Sequence, residues 1–595
     1  MHTFLQQQKP VIGTGDFAEL IDGGIFVDKT LLIKDLLMDR TKASLITRPR
    51  RWGKTLNMNM LYHFLRCEVR KNVTTNEPET ISPHPGLFDN LNIGKEHPEL
   101  IASHQGKWPV ISLTLKDVVG VDIQTIEQEF KDIFAALYKK YTYLIDWLKS
   151  PEKKENAIAE AEYFSDVRRG KANLAMLQKS LYFLSELLHE YHGQRVFVLL
   201  DEYDAPLNNT FLKPALYERV LAFMRGLLGK CLKDNAYLEK GIMTGILRIA
   251  KADLFSGLNN FQEYSLLDEE YAEHFGFTDA EVNTLFAEPR VKELVKAPTP
   301  DPEDIKAWYN GYTIGGITIY NPWSIMTCIC KRGKLAPYWV NTGSDKLLRN
   351  LLQGNGYLVH QIEQLLANHR IQVDISPHIN MIDMDADLKF WSLMLAAGYV
   401  TLAGDMPTFS SATCSCWVRI PNAEIRVAYE SLIVGWFGDQ VGGLTSYKNM
   451  VRSLFRGEIE LFSEALSNYL TEATSCRNTG FSKAEQYYSG FMAGLLIVIQ
   501  KDFAIHSEAE SGVGYADMLA IPRATCGQVA VVFEYKVAHS KEALAGKVQE
   551  ALDQIDKKEY VMRVKSYQHI ASVMKVGIAF HGKEVLVDSK ITQLG

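Results

Sequence analysis

The run Val196-Phe-Val-Leu-Leu-Asp-Glu-Tyr-Asp204 constrains the fold most. Its apolar residues are continuous, with no polar alternation. Such a run suits a strand buried on both faces, of the kind a parallel sheet under helices contains. It ends in Asp201 and Glu202, so the strand carries two carboxylates to its C-terminal tip. Upstream, Ala43–Thr47 is a second short apolar run, and Arg48-Pro-Arg-Arg-Trp-Gly-Lys-Thr55 follows it directly.

Two further β-rich runs, Val110–Leu115 and Gly241–Ile246, alternate with helical stretches at Ile123–Tyr141, Ala172–Tyr191 and Ala215–Lys233. This alternation over residues 1–270 predicts an α/β domain built on a parallel sheet with helices on both faces. Ligands of such sheets gather at the C-terminal strand ends, where Lys54, Asp201 and Thr244 would converge. The charged stretch Ser150–Arg169 reads as an insertion or an exposed helix.

The residue types at those ends suit a nucleoside triphosphate. A helix predicted from Thr55 through Tyr62 would point its first N–H groups, with those of Arg51, Trp52, Gly53 and Lys54, at phosphate oxygens. Gly53 lets the backbone approach closely. Lys54 would neutralise the β- and γ-phosphates, Thr55 and Asp201 would hold Mg2+, and Glu202 would polarise the attacking water. Thr244 is placed to sense the γ-phosphate. Arg248 and Lys251 are placed to offset transition-state charge. The general phosphate loop reads G-x-x-x-x-G-K-[ST], and Arg48 stands where its first Gly belongs. Taken alone, the Gly-Lys-Thr tripeptide equally fits a basic turn before an amphipathic helix; the acid-tipped strand is what favours the nucleotide.

The strings Phe26-Val-Asp-Lys-Thr30, Thr47-Arg-Pro-Arg-Arg-Trp-Gly-Lys-Thr55, Leu199-Leu-Asp-Glu-Tyr-Asp204 and Thr244-Gly-Ile-Leu-Arg248 resemble the bacterial AAA-ATPase-like family. So do Phe255-Ser-Gly-Leu-Asn-Asn260, Trp308-Tyr-Asn-Gly-Tyr312, Tyr320-Asn-Pro-Trp323 and Tyr338-Trp-Val-Asn-Thr-Gly343. Arg48 departs from the generic loop and not from the family's form of it. The resemblance implies a P-loop NTPase domain of AAA/ASCE type and a C-terminal PD-(D/E)XK nuclease-like domain of restriction-endonuclease type. It also implies ATP as the nucleotide and leaves room for a homo-oligomer, since AAA-type sites often borrow an Arg from a neighbouring subunit.

The C-terminal block carries a second acidic set. Tyr515-Ala-Asp517 opens a strand-like run to Ile521. After a turn around Pro522 and Gly527, Gln528-Val-Ala-Val-Val-Phe-Glu-Tyr-Lys536 returns as a buried strand. Residues two apart share a strand face, so Glu534 and Lys536 would point together towards Asp517. Glu485, on a helix predicted over Lys483–Ile499, would add a further group. Two carboxylates can hold Mg2+ and lower the pKa of its bound water, and a Lys beside them can orient that water. This chemistry suits phosphodiester cleavage. The D…E-x-K order resembles the PD-(D/E)XK core without the Pro before its Asp, and Gln554 matches a Gln common in that superfamily. D…E-x-K alone also fits a polar edge on an ordinary hairpin. Lys541, Lys547, Lys557, Lys558, Arg563 and Lys565 read as phosphate contacts or equally as a solvated face.

Between these blocks, residues 271–345 are rich in aromatics, with Trp308, Trp323 and Trp339. They read as a helical lid packed on the ATPase core rather than as a base-stacking surface, because no basic residues interleave with the rings. Residues 346–440, with a helix near Lys389–Leu402 and strands to Pro421, read as a winged-helix-like connector. The nuclease-like domain is placed at 441–595. A net charge of −7 gives no global basic field, so any nucleic-acid contact, DNA foremost, has to be local. Eight scattered cysteines read as free thiols in a reducing cytosol. No apolar stretch approaches bilayer length, so a cytoplasmic protein without a membrane segment is expected. The functional expectation is an ATPase coupled to a Mg2+-dependent nuclease. The alternatives are a nucleotide-controlled switch with an inert nuclease fold and a non-enzymatic scaffold.

Overall fold

β1, Ala43–Thr47, is buried at every residue, as an apolar run without alternation requires. It is one strand of a five-stranded sheet in the computed structural model. The structure describes residues 10–594 apart from 73, 76, 151–152, 154–156, 250–253, 256–260, 296–299, 340–355, 367–369, 380–383, 408–412, 441, 474–487, 489–491, 493, 500, 512–513 and 558–563. The chain divides into two compact units. One comprises Met1–Trp339 with Gln372–Ala423, the other Val340–Ile371 with Glu424–Gly595.

The first unit is organised by β1 with β2 (Val110–Thr114), β3 (Val196–Asp201), β4 (Leu238–Gly245) and β5 (Phe261–Tyr264). The sheet order is β2-β3-β4-β1-β5. Every neighbouring pair is parallel. A parallel pairing needs a long crossover, and three helices meet that need. These are α2 (Ile123–Lys139), α3 (Leu174–His192) and α4 (Pro214–Leu232). α2 and α3 start at Asp122 and Asn173, whose side chains accept from the backbone N–H three residues on. α3 stops at Gly193 in the left-handed conformation.

α1, Lys54–Leu65, follows β1 and buries Met58, Leu61 and Phe64 among Ile46, Leu199 and Ile242. Each such side chain contributes roughly 1.5–3 kcal/mol on burial. Packing of this size, more than intrinsic helix propensity, fixes where the first turn of α1 sits against the sheet. A smaller sheet of order β6-β8-β7 follows, from β6 (Ile371–Ile375), β7 (Thr401–Leu402) and β8 (Cys414–Arg419). α5, Ala386–Ala397, precedes β7, which pairs antiparallel with β8.

The second unit holds a mixed sheet, β9 to β13 in sequence order across the sheet. Its strands are Phe503–Ser511, Gly514–Pro522, Val529–Val537, Ser572–His581 and Glu584–Gln593. β11 and β12 are parallel, and the other neighbours are antiparallel. The crossover between the parallel pair carries α6, Leu544–Lys557. It buries Leu544, Val548 and Leu552, a four-residue spacing, against Ala538 and Ala579. Among the described residues no helix is long and apolar enough to cross a membrane. The described cysteines are free thiols.

Candidate functional site

The sheet register brings three sequence-distant segments together. β3 pairs Leu200 with Met243 of β4, and β4 pairs Thr244 with Ile46 of β1. Asp201, Thr244 and the loop after Thr47 therefore emerge side by side at C-terminal strand ends. Thr55 Oγ1 donates to Asp201 Oδ2 at 2.7 Å, and Thr244 Oγ1 donates to Asp201 Oδ1 at 2.5 Å. One carboxylate thus spans the helix start and the neighbouring strand. Thr244, expected at a γ-phosphate, has its hydroxyl on Asp201.

The loop is built for close approach. Gly53, at φ 76°, is the N-cap of α1 and provides no side-chain cap, so the first-turn N–H groups are left for a ligand of the cavity that Gly53, Lys54 and Thr55 line. Nothing lies within 4 Å of where a Gly53 Cβ would stand. Arg51 also takes a positive φ, 65°, uncommon for a residue with a side chain. Its guanidinium lies 4.3 Å from the centre of the Trp323 ring and donates to the Tyr338 carbonyl at 2.9 Å. Trp52 is buried, with its ring edge-on to Tyr312 at 4.9 Å. Lys54 Nζ donates to the carbonyls of Arg48 and Pro49 at 2.9 and 2.7 Å. Burial pushes the Lys54 ammonium below its ordinary range, against the pull of Glu202, Asp201 and Asp204.

Arg48 turns away from the phosphate side. Its guanidinium donates to the carbonyls of Thr47, Tyr264 and Ser265 at 2.8, 3.2 and 2.8 Å. It is fully buried, which lowers its pKa to about 10. The residue that replaces the first Gly of the generic loop therefore ties the end of β1 to the end of β5.

Glu202 follows Asp201 with φ 50° and lines the same cavity as Gly53, Lys54 and Thr55. Burial raises its carboxyl above the ordinary range, and Lys54 opposes the rise. The cavity measures about 450 Å³ and extends from the loop to Val11–Gly15, Phe26, Phe277, Trp323 and Met326. This apolar far end suits a flat base. Sequence reading assigned it no residues, although Phe26 and Trp323 fall in the quoted family strings. Arg248 does not line the cavity. Its Nε donates to Glu263 of β5 at 2.7 Å, and Glu263 is almost fully buried. Lys251 lies outside the described residues.

In the second unit the pairing of Met518 with Phe533 sets Asp517 one step further, across from Glu534. Asp517 Oδ2 accepts from Tyr535 N at 2.7 Å. Lys536 Nζ donates to Glu534 Oε1 at 3.0 Å, and Gln554 of α6 donates to that same oxygen. Asp517, Glu534, Lys536 and Gln554 are thus joined by hydrogen bonds around one stretch of β11. Glu534 is almost wholly enclosed and Lys536 is partly buried. Glu485, Lys558 and Arg563 lie outside the described residues. Lys541 and Lys547 are paired with Glu584 and Glu550.

Both donor sets consist of hard oxygens, the type that Mg2+ takes. Thr55 and Asp201 would hold the ion in the first unit, Asp517 and Glu534 in the second. A parallel sheet with its phosphate loop at the strand ends defines the first unit as a P-loop NTPase-type domain. The mixed sheet bearing Asp517, Glu534 and Lys536 has the nuclease-fold character expected of the C-terminal half.

Residues 11–255 match the AAA-ATPase-like family, described as a predicted AAA-ATPase, and residues 483–590 match the PD-(D/E)XK nuclease superfamily. The chain therefore pairs an AAA-ATPase-like domain with a PD-(D/E)XK nuclease superfamily domain. It is also 25% identical over 576 residues to a protein of Azotobacter chroococcum mcd 1 described as "Uncharacterized protein in vnfD 5'region". That similarity covers 94% of this chain and 95% of the other.

Proposed function

We propose that the N-terminal domain binds and hydrolyses ATP and that the C-terminal domain is a Mg2+-dependent nuclease acting on nucleic acid, DNA foremost. The observation that carries this reading is the gathering of Lys54, Thr55 and Glu202 about one cavity, with Asp201 hydrogen-bonded to Thr55 behind its wall. Lys54 neutralises the β- and γ-phosphates, and Thr55 with Asp201 would hold the metal, with Thr244 keeping Asp201 aimed. Mg2+, when bound, supplies charge stabilisation on the phosphate oxygens. Glu202 takes a proton from water as the water oxygen bonds to the γ-phosphorus. The bond from that phosphorus to the β–γ bridging oxygen breaks, leaving ADP and phosphate. Arg248 is tied to Glu263 and does not line the cavity, whose cationic side chains are Lys29, Arg51, Lys54 and Lys116.

In the nuclease domain, taken as residues 441–595, Asp517 and Glu534 would hold the metal, and Glu485 would supply a further group. Lys536 orients the attacking water, and Gln554 fixes Glu534. The protein acts in the cytoplasm, with residues 271–345 as a lid and 346–440 as a connector. The test is cleavage of single- and double-stranded DNA and RNA, with and without ATP, by wild type, Lys54→Ala and Asp517→Ala. Loss of cutting in Asp517→Ala with ATP turnover intact supports two separate sites.

One observation favours a second reading, a nucleotide-controlled switch with an inert nuclease fold. The Glu534 Oε1 and Asp517 Oδ2 oxygens are already taken by Lys536, Gln554 and Tyr535. ATP binding without cleavage of any nucleic acid would support it.

A further inference from the structure

Glu202 is held in the left-handed region by the two residues that follow it, which the proposed chemistry does not use. Tyr203 N donates to the Thr244 carbonyl at 3.0 Å. The Tyr203 hydroxyl donates to the Leu247 carbonyl at 2.7 Å and accepts from Ile249 N at 3.3 Å. Asp204 Oδ2 accepts from Ile246 N at 3.1 Å, from Leu247 N at 2.8 Å and from Asn208 Nδ2 at 2.8 Å. Both side chains are almost completely buried. Gly245 makes room for them: a Cβ there would lie 2.6 Å from Tyr203 Cε1 and 2.7 Å from Asp204 Oδ1.

The chain after Glu202 is thus stapled to the segment that follows β4. On the other side, Leu115 N donates to the Asp201 carbonyl at 3.0 Å. A residue with a Cβ takes a positive φ only where its surroundings over-determine it. Glu202 at φ 50° meets that condition, fixed at both flanks. If the staple were lost, Glu202 would relax to an ordinary backbone conformation and its carboxylate would leave its place on the cavity wall.

We infer that Tyr203 and Asp204 are positioning residues for ATP hydrolysis: they hold Glu202 aimed into the nucleotide cavity and contribute nothing to nucleotide affinity. This rests on the ATPase reading above. The same geometry explains why Gly follows Thr244. A larger residue would drive Tyr203 and Asp204 off the segment they clamp.

The experiment uses the full-length protein and measures ATP turnover and equilibrium binding of a fluorescent ATP analogue in parallel. Asp204→Ala and Tyr203→Phe should each lower kcat by about tenfold or more while the nucleotide Kd stays within about twofold. Asp204→Asn keeps an acceptor oxygen and should recover most of the rate. In a Glu202→Gln background, Asp204→Ala should add little further loss, because residues acting through one group are not additive. Should Asp204→Ala fail to fold, Tyr203→Phe removes one oxygen from the same clamp and carries the test. Unchanged turnover, affinity lost in step with rate, or a full further loss in the Glu202→Gln background would each overturn the inference. Wild-type protein that hydrolyses no ATP would overturn the ATPase reading and this one with it. Wild-type turnover that ignores the clamp variants overturns this one alone.

Discussion

Thr55 donates its hydroxyl to Asp201 at 2.7 Å across 146 residues of sequence. The bond couples the first turn of α1 to the tip of β3. It places a hydroxyl and a carboxylate where one Mg2+ could take both. Thr55→Ala should therefore weaken Mg·ATP binding more than binding of ATP in EDTA, and Thr55→Ser should restore it. Lys54→Ala should weaken both by about 1.5–3 kcal/mol, the worth of hydrogen bonds to a charged group, or roughly ten- to a hundredfold in Kd. Isothermal titration with and without metal checks these outcomes.

In the second unit, Glu534 receives hydrogen bonds from both Lys536 and Gln554. Asp517→Ala and Lys536→Ala should each reduce DNA cleavage by about a hundredfold or more. Gln554→Ala should cost less, because it only orients Glu534. None of the three should change ATP turnover at saturating nucleotide without DNA. A gel assay of cleavage run beside a phosphate-release assay separates the two activities.

Arg48 supplies a structural prediction. Its guanidinium satisfies the carbonyls of Thr47, Tyr264 and Ser265 from a fully buried position. Each buried acceptor left without a donor costs about 1–3 kcal/mol, so Arg48→Ala, which strips three, should destabilise the first unit by about 3 kcal/mol or more. Arg48→Lys should rescue it only in part: the three bonds come from Nη1, but lysine has no second nitrogen for the Glu270 carbonyl that Nη2 reaches at 3.3 Å. Urea unfolding followed by a probe in the first unit reads the loss.

Acid should weaken the fold through His192. Burial beside Tyr143 and Cys67 lowers its pKa from 6.5 to about 4. The folded protein keeps the ring neutral while the unfolded chain takes a proton near pH 6.5. This contribution is complete above pH 6.5, shrinks as pH falls and is gone below about 4. Its full size is up to about 3 kcal/mol. His192→Gln should lower stability at pH 7.5 but flatten its fall between pH 6.5 and 4.5, as urea midpoints at the two ends of that window would show.

Much of this was legible in the sequence because parallel strands are local signals. The run expected at Val110–Leu115 appears as the strand Val110–Thr114, and the apolar run from Val196 appears as the strand Val196–Asp201. The hairpin carrying Asp517, Glu534 and Lys536 appears as expected, because a buried strand after a turn has few alternatives. β5 was not legible: Phe261-Gln-Glu-Tyr264 is short and half polar, and it becomes a strand only by pairing with β1. For the same reason the partner of Arg248 was hidden, since Glu263 lies on that strand. The apolar end of the cavity was equally out of reach, because Val11 and Trp323 meet only in the folded chain. Periodicity reports which face a residue occupies, not which distant residue shares its pocket.

The central claim is tested most directly by phosphate release from ATP by wild-type protein and by Glu202→Gln, with nucleotide binding measured on the same samples. The account predicts that both bind Mg·ATP with similar affinity. It also predicts that the variant releases phosphate about 10²–10⁴-fold more slowly, the usual loss on removing a general base. Binding by neither protein, or equal release by both, would contradict it.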